Sequence, residues 1–209
     1  MRSSVLISFL LLFYALGGAQ DTNSAKTKNI LILGNSITAG YGLAKEQAYP
    51  AHLQNKIDSL GLPYKVVNAG LSGETTSGGL RRIDWLLRQP VDIFILALGG
   101  NDGLRGIGLD VTRQNLSQTI EKVREKNPGV TVVLAGMQIP PNLGPEYTKE
   151  FKQLYPQVAQ EADTKLIPFL LQDVGGFKEL NLPDGIHPNA EGHKIVAENV
   201  WEVLKPLLK

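Results

Sequence analysis

Cysteine is absent from the chain. That excludes disulfide bonds, a thiol nucleophile, thiolate metal sites and a lipid-modified cysteine near the N-terminus. An excess of either charge is also missing. The 21 Lys and Arg stand against 20 Asp and Glu, for a formal net charge of +1. Composition thus points to neither a nucleic-acid partner nor an anionic membrane. Histidine is scarce, with three among 209 residues, so any search for a general base or a metal site is short. No internal repeat, low-complexity tract or Gly/Ser linker interrupts the sequence.

Long apolar runs are few, and the N-terminal one, Val5 to Leu16, is shorter than the about 20 residues a membrane span needs. Arg2 precedes it, and Gly17, Gly18 and Ala19 follow. A basic start, a short apolar centre and a small-residue end make a secretory signal peptide. The expectation is cleavage after Ala19 and export to the periplasm or the medium, with an uncleaved N-terminal anchor as the alternative. The mature chain is then expected to hold no stable membrane span. Residues 20–28 read as a flexible polar leader and 29–209 as one domain.

What is present is an alternation of two kinds of segment. "NILILG" (29–34), "YKVVNAG" (64–70), "VDIFILALGG" (91–100), "TVVLAGMQ" (131–138) and "TKLIPFLL" (164–171) read as strands. Several are continuously apolar, as strands buried on both faces of a parallel sheet are. Helix periodicity lies between them. Leu53, Ile57 and Leu60 share a face in 49–60; Leu80, Ile83 and Leu87 share one in 76–89. Leu116, Ile120 and Val123 do so in 111–126, with Asp110 as the expected cap. Residues 146–162 form another helix, and 189–208 a last one behind Pro188, which suits a helix start. Strand and helix in alternation predict a three-layer α/β sandwich around a five-stranded parallel sheet.

Ligands of such sheets bind at the carboxyl ends of the strands. Polar clusters stand there: "GNSIT", "NAGLSGET", "GGNDG" and "MQIPPN" after the first four strands, and "PDGIHP" before the last helix. Ser36 in the first cluster needs a base to become a nucleophile. His52 lies in a helix and reads as a partly exposed helix residue; His193 reads as a solvated helix face. His187 is different, pinned between a Gly-containing turn and Pro188, with Asp184 three residues earlier. A tight turn can bring that carboxylate to one ring nitrogen and leave the other for Ser36, the logic of a Ser-His-Asp triad. The bland alternative is an Asp/His turn that caps the final helix. A metal would need more ligands, and Asp102 is the one obvious addition.

Acyl transfer also needs donors for a developing oxyanion. Gly73 can offer a bare N–H, Asn101 a side-chain amide, and Ser36 its own N–H. Taken singly, Gly73 is equally a turn glycine and Asn101 a loop-structuring amide. The loop 137–147 is punctuated by Pro and Gly, and its Met137, Ile139, Pro140 and Leu143, with Tyr147, are candidates to line an acyl channel. The alternative is an ordinary strand-to-helix connection.

"GNSITAGYG", "NAGLSGET", "LGGNDGLRG" and "PDGIHP" resemble, in order and spacing, the four blocks of the SGNH, or GDSL, hydrolase family. Within it the chain is most similar to the exported bacterial multifunctional type, described as acyl-CoA thioesterase, arylesterase and lysophospholipase. The resemblance implies a flavodoxin-like fold and no metal or organic cofactor. It makes Ser36 the nucleophile, His187 the base, Asp184 its orienting acid, and Ser36, Gly73 and Asn101 the oxyanion hole. It implies small acyl esters, aryl esters, thioesters or lysophospholipids as substrates, and esters or lysophospholipids for an exported enzyme. One departure stands out: the family's first block reads Gly-Asp-Ser, and this chain has Asn35 before Ser36. Competing readings are a carbohydrate O-deacetylase of the same family, a flavin- or phosphate-binding module, and a non-catalytic lipid- or glycan-binding domain.

Overall fold

The computed structural model describes residues 27–209. The expected signal peptide, and the leader as far as residue 26, lie outside the described residues. Five parallel strands form one sheet: β1 (Lys28–Gly34), β2 (Tyr64–Gly70), β3 (Ile93–Ala97), β4 (Thr131–Ala135) and β5 (Lys165–Ile167). The helices are α1 (Ser36–Ala39), α2 (Tyr49–Ser59), α3 (Thr76–Leu86), α4 (Gly100–Leu104), α5 (Leu109–Lys126), α6 (Pro145–Glu161) and α7 (Ala190–Leu204). The first strand begins one residue inside the expected leader, where Lys28 pairs with Tyr64.

The sheet order is β2-β1-β3-β4-β5. The chain leaves β1 toward one edge, then returns past it to build β3, β4 and β5 on the other side. The carboxyl ends of β1 and β3 therefore flank the point where the winding reverses, the place where such sheets open a crevice. Helices α3, α5 and α6 pack together as one layer, and α2 and α7 as the other. The interior strands are buried along most of their length because both faces are covered: every residue of β3 is buried, as are Ile30–Gly34 of β1. Edge strand β2 is covered only in part, with Tyr64 and Ala69 in the core and Val67 exposed.

Several expected boundaries move, each for a local reason. The last strand stops at Ile167 rather than at 171, because Pro168 has no N–H to give the ladder. The segment after it, with Phe169 and Leu171, becomes a loop. The third and fourth strands are shorter than their apolar runs, since those runs continue past the sheet edge into the loops. Gly108 rather than Asp110 occupies the N-cap of α5; Asp110 sits in its first turn, where a carboxylate still favours the positive end of the helix. Leu60 leaves its expected core face because α2 ends before it, and it is 54% exposed. Pro188 does not open the last helix. It makes a lone antiparallel bridge with Asn181, and Asn189 caps α7 by accepting the N–H groups of Glu191 and Gly192. That helix ends at Leu204, two residues before Pro206, and tightens into a 3-10 turn over Lys205–Leu207.

Candidate active site

The turn after β1 is seated directly on the sheet. A Cβ on Gly34 would lie 1.9 Å from the Thr38 hydroxyl, and one on Gly70 of the neighbouring strand would lie 2.2 Å from the Ala39 nitrogen. Neither position admits a side chain, so α1 rests against bare backbone. Asn35 caps α1 through its Oδ1, which accepts the Ile37 N–H at 3.0 Å. From behind, the buried Tyr49 hydroxyl meets the Thr38 hydroxyl at 2.8 Å. Ser36, the first residue of α1, is thereby held with its N–H among the orphan donors of a helix start. That N–H has no hydrogen-bond partner among the described residues.

His187 approaches from the opposite wall. Its Nε2 is 2.9 Å from Ser36 Oγ, and its Nδ1 is 2.8 Å from Asp184 Oδ2. The other Asp184 oxygen, Oδ1, accepts the N–H groups of Ile186 and His187, each at 3.0 Å. Partial desolvation pushes the Asp184 carboxyl up, but these hydrogen bonds and the imidazole outweigh it and hold the pKa below the ordinary carboxylate value. An ionised carboxylate only accepts, so Nδ1 carries the proton and Nε2 presents its lone pair to the serine hydroxyl. The turn itself is closed by the Leu182 N–H, which donates to the His187 carbonyl at 2.7 Å. The Tyr41 ring leans on the imidazole, with centroids 4.5 Å apart.

Gly73 has φ +79°, a left-handed conformation that glycine adopts without a Cβ clash. Its carbonyl accepts from Arg105 Nη2 at 3.0 Å, and its N–H has no partner among the described residues. One of the two Nδ2 protons of Asn101 goes to the Glu74 carbonyl at 2.8 Å, leaving the other free. Ser36, Gly73, Asn101 and His187 all border one cleft of about 620 Å³. Met137, Ile139 and Pro140 line it, together with Leu104, Phe169, Leu171 and Ile186. Leu143 and Tyr147 are not among its lining residues. Leu143 is 41% exposed and leans toward Gly106. The Tyr147 hydroxyl is tied to the Ile107 carbonyl at 2.8 Å.

The model of the GDSL-like lipase/acylhydrolase family matches residues 32–195. The chain belongs to that family. It is 42% identical to esterase TesA of Pseudomonas aeruginosa over 90% of this chain and 92% of the relative. It is 37% identical to thioesterase 1/protease 1/lysophospholipase L1 of Escherichia coli over 96% of this chain and 91% of that one. The crystal structure of TesA superposes with a TM-score of 0.83 at 42% identity, covering 87% of this chain and all of the other. The five-stranded flavodoxin-like α/β fold is shared with it, and this GDSL-family chain is a carboxylic ester hydrolase.

Three features of the hydrolase escape a reading of its sequence. The first is the wall supplied by Phe169 and Leu171, hidden inside an apolar run that looks like strand. Pro168 was the available signal. The second is His193, which is 1% exposed rather than solvated. It faces α2, and its Nδ1 accepts the Tyr49 N–H at 3.2 Å, a contact between residues 144 apart in sequence. Burial first, then the neighbouring charges of His52 and His187, bring its pKa down to about 4, so it is a neutral acceptor. The third is Asp102, which is completely buried and turns to Thr76. Among the described residues no group of three or more His, Asp or Glu side chains comes together to hold a metal ion, and no helix is long and apolar enough to cross a membrane.

Proposed function

We propose that the hydrolase cleaves small acyl esters, aryl and lysophospholipid esters among them, through a Ser36-His187-Asp184 triad. The observation that carries the reading is the continuous hydrogen-bonded series from Ser36 Oγ through His187 to Asp184 at the edge of a largely apolar cleft. The Ser36 hydroxyl donates to His187 Nε2, so the imidazole is poised to take its proton as Oγ bonds to the acyl carbon. The carbonyl oxygen becomes an oxyanion. The Ser36 N–H, the Gly73 N–H and the free Asn101 Nδ2 proton are its donors, and Asp184 stabilises the imidazolium that forms. His187 then gives the proton to the departing alcohol or thiol. Water, deprotonated by the same nitrogen, attacks the acyl-enzyme and restores the Ser36 hydroxyl as the acid leaves.

Met137, Ile139, Phe169 and Leu171 suit an acyl chain better than a sugar, which favours ester or lysophospholipid substrates over an acetylated carbohydrate. No cofactor enters these steps. The Arg2, Val5–Leu16 and Ala19 pattern supports export, placing the activity in the periplasm or the medium. Ser36→Ala is expected to lower p-nitrophenyl ester turnover by at least about 10⁴-fold and to abolish labelling by a fluorophosphonate, with circular dichroism unchanged. A folded variant that still turns over the ester overturns the assignment.

A further inference from the structure

We infer that Asp102 is a positioning residue that fixes the loop of Gly73 against Asn101, setting the spacing of the two outer oxyanion donors; this rests on the oxyanion reading above. Asp102 is 0% exposed, yet no Lys or Arg pairs with it among the described residues. Its Oδ2 accepts the Thr76 N–H at 2.9 Å, and its Oδ1 accepts the Thr76 hydroxyl at 2.5 Å. The direction of the second bond is set from outside. Asn115 Nδ2 donates to Thr76 Oγ1 at 3.1 Å and to Ser77 Oγ at 2.8 Å, so the Thr76 proton is left for the carboxylate.

The bonds join the two loops that matter. Thr76 opens α3, three residues after Gly73, and Asp102 follows Asn101 in α4. Two neighbours act beside them: Asn101 Nδ2 reaches the Glu74 carbonyl and Arg105 Nη2 the Gly73 carbonyl. Residues 101, 102 and 105 thus take hold of residues 74, 76 and 73. The far side of α4 is seated as well, because a Cβ on Gly103 would lie 2.7 Å from Ile139 and 2.8 Å from Phe151. Only the Asp102 link is wholly buried, where water neither competes nor screens. Burying a carboxylate costs more than burying an apolar side chain of the same volume. Space-filling therefore does not account for Asp102; a fixed distance between the two loops does.

The test is steady-state hydrolysis of p-nitrophenyl butyrate by Asp102→Asn, Thr76→Val, Thr76→Ser and the Asp102→Asn/Thr76→Val pair, beside Ser36→Ala and Asn101→Ala. Misplacing a reacting group by about 1 Å can cost on the order of 10²-fold. Asp102→Asn and Thr76→Val are expected to lower kcat about 10- to 100-fold with KM changed less than about 2-fold. Thr76→Ser, which keeps the hydroxyl, is expected to restore kcat to within about 3-fold of the parent, and the pair to be no worse than its worse member. A kcat within about 2-fold of the parent for Thr76→Val, or equal losses for Thr76→Ser and Thr76→Val, overturns the inference. If Asp102→Asn does not fold, the two Thr76 variants decide alone. Full activity in Asn101→Ala would instead count against the oxyanion reading itself, and full activity in Ser36→Ala against the triad.

Discussion

The two walls of the active-site cleft are built on different principles. On the side of the proposed oxyanion donors, α1 lies on bare strand backbone, and the loops of Gly73 and Asn101 are joined through the buried Asp102 carboxylate and the Thr76 N–H and hydroxyl. On the base side, the turn of residues 182–187 is held by short-range bonds to its own backbone, with Asp184, Gly185 and Ile186 exposed. The difference matches what the proposed mechanism asks of each wall. Stabilising an oxyanion calls for donors that do not reorganise, and their worth grows where water is excluded. A base must move a proton twice, and needs orientation more than burial. One sharp local turn supplies it.

The largest effect expected on the exposed wall comes from Asp184→Asn. The amide oxygen still accepts the Ile186 and His187 N–H groups, so the turn survives. The imidazolium loses its counter-charge and the ring its preferred tautomer. Turnover is expected to fall about 10³- to 10⁴-fold with little change in urea stability. A variant that loses stability before activity would mean that the base side is held together by that carboxylate rather than by its backbone.

A smaller effect, on stability, concerns the support behind that wall. His193 fastens α7 to the start of α2 only while neutral, and its folded pKa of about 4 lies below the unfolded value of about 6.5. Between those values the unfolded chain binds the extra proton. The stabilisation is present in full above pH about 6.5 and is lost as pH falls toward 4, by on the order of 3 kcal/mol. Urea titrations at pH about 7 and about 4.5 should show it, and His193→Asn should flatten the difference between them. An unchanged slope in the variant would return His193 to a passive packing role. The Asp184 carboxyl is depressed as well and acts in the same sense, but below its unfolded value near 3.8, so it leaves this window largely to His193.

The smallest effect is expected at Asn35. Asn35→Asp keeps an oxygen for the Ile37 N–H, so kcat at neutral pH should stay within about 3-fold of the parent. A larger change measured across pH would show that charge beside Ser36, and not the cap alone, matters on the oxyanion wall.

These walls were unequally legible in the sequence. Ser36, Asp184 and His187 announce themselves because each sits within two residues of a Gly or Pro, where the chain leaves its regular period. The sheet was legible for a related reason, since β1, β3 and β4 are apolar through and through. What stayed hidden depends on contacts made at long range. His193 shares the buried stripe of Val196, Ala197, Val200 and Leu204, but its polarity reads as surface until Tyr49 comes to meet it. Asp102 looks like one more polar residue of a loop until Thr76 comes to meet it. Phe169 and Leu171 share the composition of a strand, and one missing N–H at Pro168 turns them into cleft wall. Leu143 errs in the opposite direction: an apolar residue in the right loop, at the wrong end of it.

The glycines under Ser36 carry a lesson for redesign. Gly34 and Gly70 leave no room for a methyl group between the sheet and α1. The position of Ser36 is therefore written into the spacing of two adjacent strands, and altering it means altering the sheet. Phe169, Leu171 and Ile186 belong to no strand, and they face the same cleft. Under the proposed function, chemistry and selectivity reside in separable parts of one molecule. A library confined to the second set can explore new acyl groups while the reacting centre stays where it is.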